Sequence, residues 1–288
     1  MPTFPSSGPA SSGGTSSLLS LIPEAAGHAF MGGPIAFYSG TVSNGSDTIT
    51  IYDINLSDSS GAQTYKGWRA YFPASTSSRF VQDVDLLTGK LILNRALATA
   101  PSTGATFYLM RDFPWGNWTT FFNDALKQMK RKVTYLQTSG VTGRKISLPA
   151  GLDPDTVLDV RIREAGDTAD PGNYSLPWYG FDYVSEVPIL RSDRDLQGYD
   201  LLWDVTEPFA TAETTTFTSD ASTTSAPRDW VIAEAVSMAL ATLWSNQVTD
   251  ADIRRVERRL AAAGRLVAGL RAKYTPSTGK RFMSSNPT

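Results

Sequence analysis

Between residues 249 and 274, Ile253, Val256, Leu260, Ala263, Val267, Leu270 and Tyr274 recur at alternating steps of three and four. That spacing keeps one apolar seam in line along an α-helix, and such a seam is buried by lying along another helix. At about 100° of turn per residue, Arg254, Arg255, Arg258, Arg259, Arg265 and Lys273 fall on the opposite half, with Arg271 at the seam's edge. The helix therefore calls for two unlike neighbours: a helix of its own subunit, and solvent or an acidic partner. Thr249 can cap its start, and Asp252 suits the positive end of its dipole. Just upstream, Ser225 and Pro227 open a second helix over residues 228–246, with Trp230, Ala233, Val236, Leu240, Leu243 and Trp244 for burial. The short link between them predicts an antiparallel helical hairpin.

A third helix is expected from Trp118 to about Gln137, with Asn117 as N-cap and Phe122, Ala125, Met129, Val133 and Leu136 on its apolar side. It stands alone among β-like sequence, so the terminal hairpin is its natural partner. Residues 35–113 alternate as short strands, as at Thr48–Tyr52 and at Trp68, Ala70 and Phe72, punctuated by Asn44-Gly45, Thr88-Gly89 and Pro101–Gly104. Residues 144–209 turn β again, and the polar stretch 210–227 is long enough for an arm or extended hairpin reaching a neighbour. The expected class is α+β: a small antiparallel β-barrel or sandwich module, then a three-helix bundle with a β insertion. Its parts are a flexible N-terminal arm (1–34), a β module (35–113), a helical bundle (114–143 and 228–274), a β insertion with a long polar loop (144–227) and a C-terminal tail (275–288).

The chain of 288 residues has no cysteine and one histidine, His28, so thiolate sites and disulfides are excluded and a zinc site is not expected. No apolar run reaches the ~18 residues of a spanning helix. No phosphate-loop glycine pattern, dinucleotide fingerprint or nucleophile elbow occurs, and the aspartates at 153–155 and 193–195 lack the calcium-loop spacing. No cofactor is expected. Carboxylates such as Asp182, Glu186 and Glu207 are too many to mark a catalytic pair, and solvated charges explain them better. The net charge of −2 hides segregation: residues 111–145 carry +5, residues 151–229 carry −11 and residues 251–288 carry +7. These segments either pair inside the subunit or complement one another between subunits. The arginine helix lacks interleaved aromatics, which speaks against direct DNA reading.

Tyr65, Gly67, Trp68, Arg79, Thr88, Gly89, Pro101, Gly104, Tyr108 and Leu109 form a pattern of about seventy residues. It resembles small β modules of tailed-phage virion proteins. The helical part resembles phage head-to-tail adaptor proteins, which carry a small helical bundle, often with a β insertion, and form twelve-fold rings beneath the portal. The resemblance implies a mechanical role without catalysis: a ring at the head–tail junction that extends the portal channel and docks the tail. The implied partners are the chain itself, the portal protein, the next neck or tail component, and DNA passing without sequence-specific binding. The implied location is the virion, with no membrane partner. Arg254, Arg255, Arg258, Arg259 and Arg265, with Lys280 and Arg281 in the tail, are then the expected partner-binding residues. A tail or baseplate component anchoring fibres through its β module is the alternative, and a carbohydrate-active enzyme a more distant one.

Overall fold

The computed structural model describes residues 16–29, 37–57, 65–166, 176, 179–184, 187–209, 217–220, 222–245 and 250–275. Strand β1 (Ser16–Ser17) leads into helix α1 (Leu18–Ala29), followed by β2 (Phe37–Thr41), β3 (Thr50–Tyr52) and the short α2 (Ile54–Ser57). Next come β4 (Arg69–Phe72), β5 (Ser77–Asp85), β6 (Lys90–Leu93), β7 (Thr106–Met110) and α3 (Trp115–Gln128). Strands β8 (Lys130–Gln137), β9 (Lys145–Ser147), β10 (Val157–Glu164), β11 (Tyr179–Val184), β12 (Val187–Ser192) and β13 (Tyr199–Pro208) follow. The chain continues through β14 (Thr223–Thr224), α4 (Arg228–Ser245) and α5 (Asp250–Tyr274). Among the described residues this is a mixed α+β fold with five helices and curled antiparallel sheets. It divides into two compact units, Gly13–Leu126 with Thr215–Arg271, and one built on Lys127–Thr214.

In the first unit, six antiparallel strands in the order β2-β7-β4-β5-β6-β3 curl into a half-barrel. Alternation along short strands sends Ile51, Phe72, Val81, Leu91, Leu93, Phe107 and Leu109 into one core. The edge strands meet at Asp53, which is fully buried directly after β3. On β2, Thr41 N donates to its Oδ2 at 3.0 Å and Tyr38 Oη at 2.7 Å, so a carboxylate stands in for missing ladder bonds. Burial and the Asp53 carboxylate push the Tyr38 phenol far above its ordinary pKa. Two glycines make room for this corner. A Cβ on Gly40 would lie 2.3 Å from Asp53 Oδ2 and 2.4 Å from the Phe107 ring. Gly89 has φ +65° and would meet the Asp53 carbonyl at 2.2 Å.

Helix α4 is buried on nearly every side, as befits a helix apolar all round, and α1 packs against it, burying Leu18, Leu21, Ile22, Ala25 and Ala26. The segment before β14 ties α1 and α3 to the sheet through Asp220. Its carboxylate accepts from Tyr71 Oη on β4 and, at 2.7 Å, from Trp115 Nε1 on α3, while its carbonyl accepts from Leu19 N at 3.2 Å. Trp115 is stacked between Tyr71 (4.4 Å) and Tyr108 (5.2 Å). The second unit holds two three-stranded sheets, β10-β13-β8 and β11-β12-β9, around a core that includes Ile146, Val160, Leu190, Leu201 and Trp203.

Three expectations change. The helix expected to reach Gln137 ends at Gln128, and Val133 and Leu136 lie on β8, paired with β13 from Lys130↔Pro208 to Gln137↔Leu201. Ladder pairing with a central, buried strand outweighs a local spacing that helix and strand share. That helix starts at Trp115, and Asn117 lies inside it, with its N–H on Pro114 O. Within the expected flexible arm, residues 18–29 are helical because the apolar face of α1 has α4 to cover it. Of the polar stretch 210–227, residues 210–216 and 221 lie outside the described residues, and the rest has partners within the subunit. Phe217 packs on Phe122, its backbone N–H donates to Asn123, and β14 pairs with β1.

Gly40→Ala should lower stability by about 2 kcal/mol or more, read as a drop in urea midpoint. Gly116→Ala, in α3 with open space around its Cβ, should instead raise stability by about 0.5 kcal/mol. Asp220→Ala strands two donors and should cost about 2 kcal/mol or more; an unchanged midpoint would remove Asp220 as the link between sheet and helices.

Candidate protein-binding surface

Helix α5 runs 25 residues, about 37 Å at 1.5 Å per residue. Its seam is only partly covered. Val256 and Val267 are buried, while Ile253, Leu260, Ala263, Leu270 and Tyr274 are half-buried. Diametrically opposite, Arg254, Arg258 and Arg265 fall within about 40° of one line along the axis. All three are exposed, and none makes an ion pair among the described residues. Small residues stand exposed between them, among them Ala261, Ala262 and Gly269. Arg255 is exposed and Arg259 half-buried; burial and the neighbouring Arg255 lower the pKa of Arg259. Arginines four residues apart, as in 254/258 and 255/259, repel each other and weaken the helix slightly. Lys280 and Arg281 lie outside the described residues.

A second arginine behaves differently. Arg271 reaches Glu234 of α4, with Nε 2.6 Å from Oε1 and Nη2 2.9 Å from Oε2. Glu234 is buried and also accepts from Trp230 Nε1 at 3.0 Å. The bond to Glu234 raises the Arg271 pKa. This fork anchors α5 on α4 and spends one arginine inside the subunit. Its sequence signal was a lone acid within an apolar helical run, which seldom occurs without a partner.

Several carboxylates of the acidic stretch 151–229 are engaged at home. On β13, Asp204 accepts from Lys132 Nζ (2.7 Å), Arg161 Nη2 (2.9 Å) and Thr134 Oγ1 (2.6 Å), and Asp200 from Arg163 Nε (3.1 Å). Burial works to raise the Asp204 pKa, but Lys132, Thr134 and Arg161 together hold it below the usual carboxylate range. Glu207 shows the reverse: burial raises its pKa, opposed only in part by Arg131, its partner in the β8–β13 register. Asp182 pairs with Arg191 at 3.2 Å, and Glu186 lies outside the described residues. Lys132 is the cation that the +5 segment lends to these ion pairs, the other arginines belonging to the acidic stretch itself, whereas the α5 arginine line makes no ion pair among the described residues.

Among the described residues, no group of three or more His, Asp or Glu side chains is placed to hold a metal ion, and no helix is long and apolar enough to cross a membrane. His28 lies in α1. No family model, no curated protein and no solved structure matches the chain.

The two strand carboxylates should titrate with opposite sign. The stability that Asp204 contributes is present above the unfolded carboxylate pKa of about 4 and is lost as pH falls through its depressed folded value. Asp204→Asn should therefore cost about 3 kcal/mol at pH 7, and the gap to the native chain should close in acid. Glu207 is disfavoured when ionised, so Glu207→Gln should raise stability at pH 7 and lose that advantage on acidification. Urea titrations across pH 3–7 read both.

Proposed function

We propose that this chain is a structural protein of a tailed-phage virion, assembling as a ring at the head–tail junction, where it extends the portal channel and docks the tail. The observation that carries the proposal is the uncompensated arginine line of α5, set opposite a seam and anchored by the fork from Arg271 to the buried Glu234. A rigid helix that holds one face in its subunit and offers unpaired guanidinium groups on the other is suited to a carboxylate-bearing partner. In this reading α3, α4 and α5 form the bundle, and Arg254, Arg255, Arg258, Arg259 and Arg265, with Lys280 and Arg281, meet a neighbouring subunit or the portal. The ring is twelve-fold, and DNA passes through it without sequence-specific contact. A strongly basic channel wall would hold the passing DNA, so the arginine face belongs at protein contacts. The role is mechanical, needs no cofactor and is exercised in the virion after assembly in the host cytoplasm.

The resemblance of the β module also supports a second reading, anchorage of fibres in the tail or baseplate. The observation in its favour is that Ile54 and Leu87, 72% and 92% exposed, stand on adjoining turns of the half-barrel joined by the Asp53 N to Gly89 O bond.

Light scattering of the purified protein, alone and with portal protein, separates these. A closed oligomer or a portal complex is expected, and Arg258→Glu with Arg265→Glu should abolish it while leaving the melting temperature within a few degrees. A monodisperse monomer that joins neither would sink the ring. Loss of monomer folding in the double variant would mean that these arginines serve the subunit itself.

A further inference from the structure

On the half-barrel, β4, β5 and the turn after β6 enclose a cleft of about 230 Å³ lined by Arg69, Ser78, Arg79, Phe80, Asn94 and Arg95. Three arginines are among its lining residues and no acidic residue is. None of the three makes an ion pair among the described residues. Like charges gathered without counter-charge cost free energy, which an anion relieves.

The lining is organised before any ligand arrives. Arg69 sits opposite Phe80 in the β4–β5 register, with its guanidinium 4.4 Å over the ring. Arg79 is steered by bonds from Nε to Ala96 O (3.1 Å) and from Nη1 to Ser78 O (2.8 Å), which leave its Nη2 protons unused. Phe80 N donates to Asn94 Oδ1 at 3.0 Å, so the carboxamide's Nδ2 donor is the end left for a ligand. Ser78 adds a hydroxyl, and Phe80, 43% exposed, supplies an apolar wall.

We propose that this cleft binds a phosphate group. A phosphate dianion answers three positive charges better than one carboxylate does. Its tetrahedral oxygens also accept from donors arriving from three backbone positions, whereas a carboxylate accepts in one plane. A nucleic-acid track would spread its basic groups along a groove. Here three arginines gather around one small open cleft, which fits a free phosphate or the terminal phosphate of a larger molecule. The site stands independently of the α5 surface.

The test is calorimetric titration of the full chain in low salt. Its probes are inorganic pyrophosphate, a short oligonucleotide with and without a 5′-phosphate, and a glutamate-rich peptide. Saturable binding of one pyrophosphate per chain is expected. Arg95→Gln and Arg69→Gln should each weaken it by about tenfold or more, with unliganded melting temperatures unchanged. Preference for the 5′-phosphorylated oligonucleotide supports the site and names a nucleic-acid end as the source. Equal, weak binding of both oligonucleotides beside tight pyrophosphate supports it with a free phosphate as the source. The proposal is overturned by absence of saturable pyrophosphate binding, by binding that survives both substitutions, or by the peptide binding more tightly than pyrophosphate, which would make the cleft a dock for acidic protein.

Discussion

Asp220 is the constraint on which the first unit's architecture turns. A sheet and a set of helices, each with its own apolar face, can meet in many ways, and apolar contact alone is non-directional. Asp220 removes that freedom by accepting from a tyrosine of β4 and a tryptophan of α3 while its carbonyl takes the N–H of Leu19 in α1. Both aromatic donors lie in the stack with Tyr108, so their rings are already oriented when the carboxylate meets them. Asp53 does the same work on a smaller scale, joining the two edges of the half-barrel. In both cases the carboxyl oxygens accept from donors held by other elements, the arrangement in which withdrawing a polar group from water is tolerable.

How much of this could be read from the chain depends on the range of the interactions. Helices α4 and α5 were legible because their apolar spacing is a local property sustained over many residues. The boundary between α3 and β8 was not. Val133 and Leu136 continue the helical spacing of Met129, while Val133 and Tyr135 alternate as a strand, and what decides between them is β13, some seventy residues away. Helix α1 was hidden by Pro23 and by the Ser/Gly-rich sequence before it, with α4, its cover, two hundred residues downstream. Nothing local in the sequence marks Asp53 or Asp220, because the tyrosine hydroxyls that meet them come from distant strands.

The candidate surface divides in the same way. A helical projection of α5 places Arg254, Arg258 and Arg265 on one line without any structure. The projection does not say which basic residues are already spoken for. Arg271 belongs to Glu234, and Lys132, Arg161 and Arg163 belong to β13, so part of the charge along the chain is paired internally. Only after that subtraction does the α5 line stand out.

The like charges that α5 carries on one side have a consequence for how assembly would be felt inside the subunit. Each arginine pair four residues apart opposes the helix by about 0.2–0.5 kcal/mol, so the isolated helix holds a little stored repulsion along its length. Carboxylates arriving from a partner would cancel it. Docking and helix order are then coupled, and the amide protons of α5 would exchange with solvent more slowly once a neighbour is in place. In the proposed ring the helix would be a gauge of its own engagement, looser when the subunit is free and firmer when the contact is made.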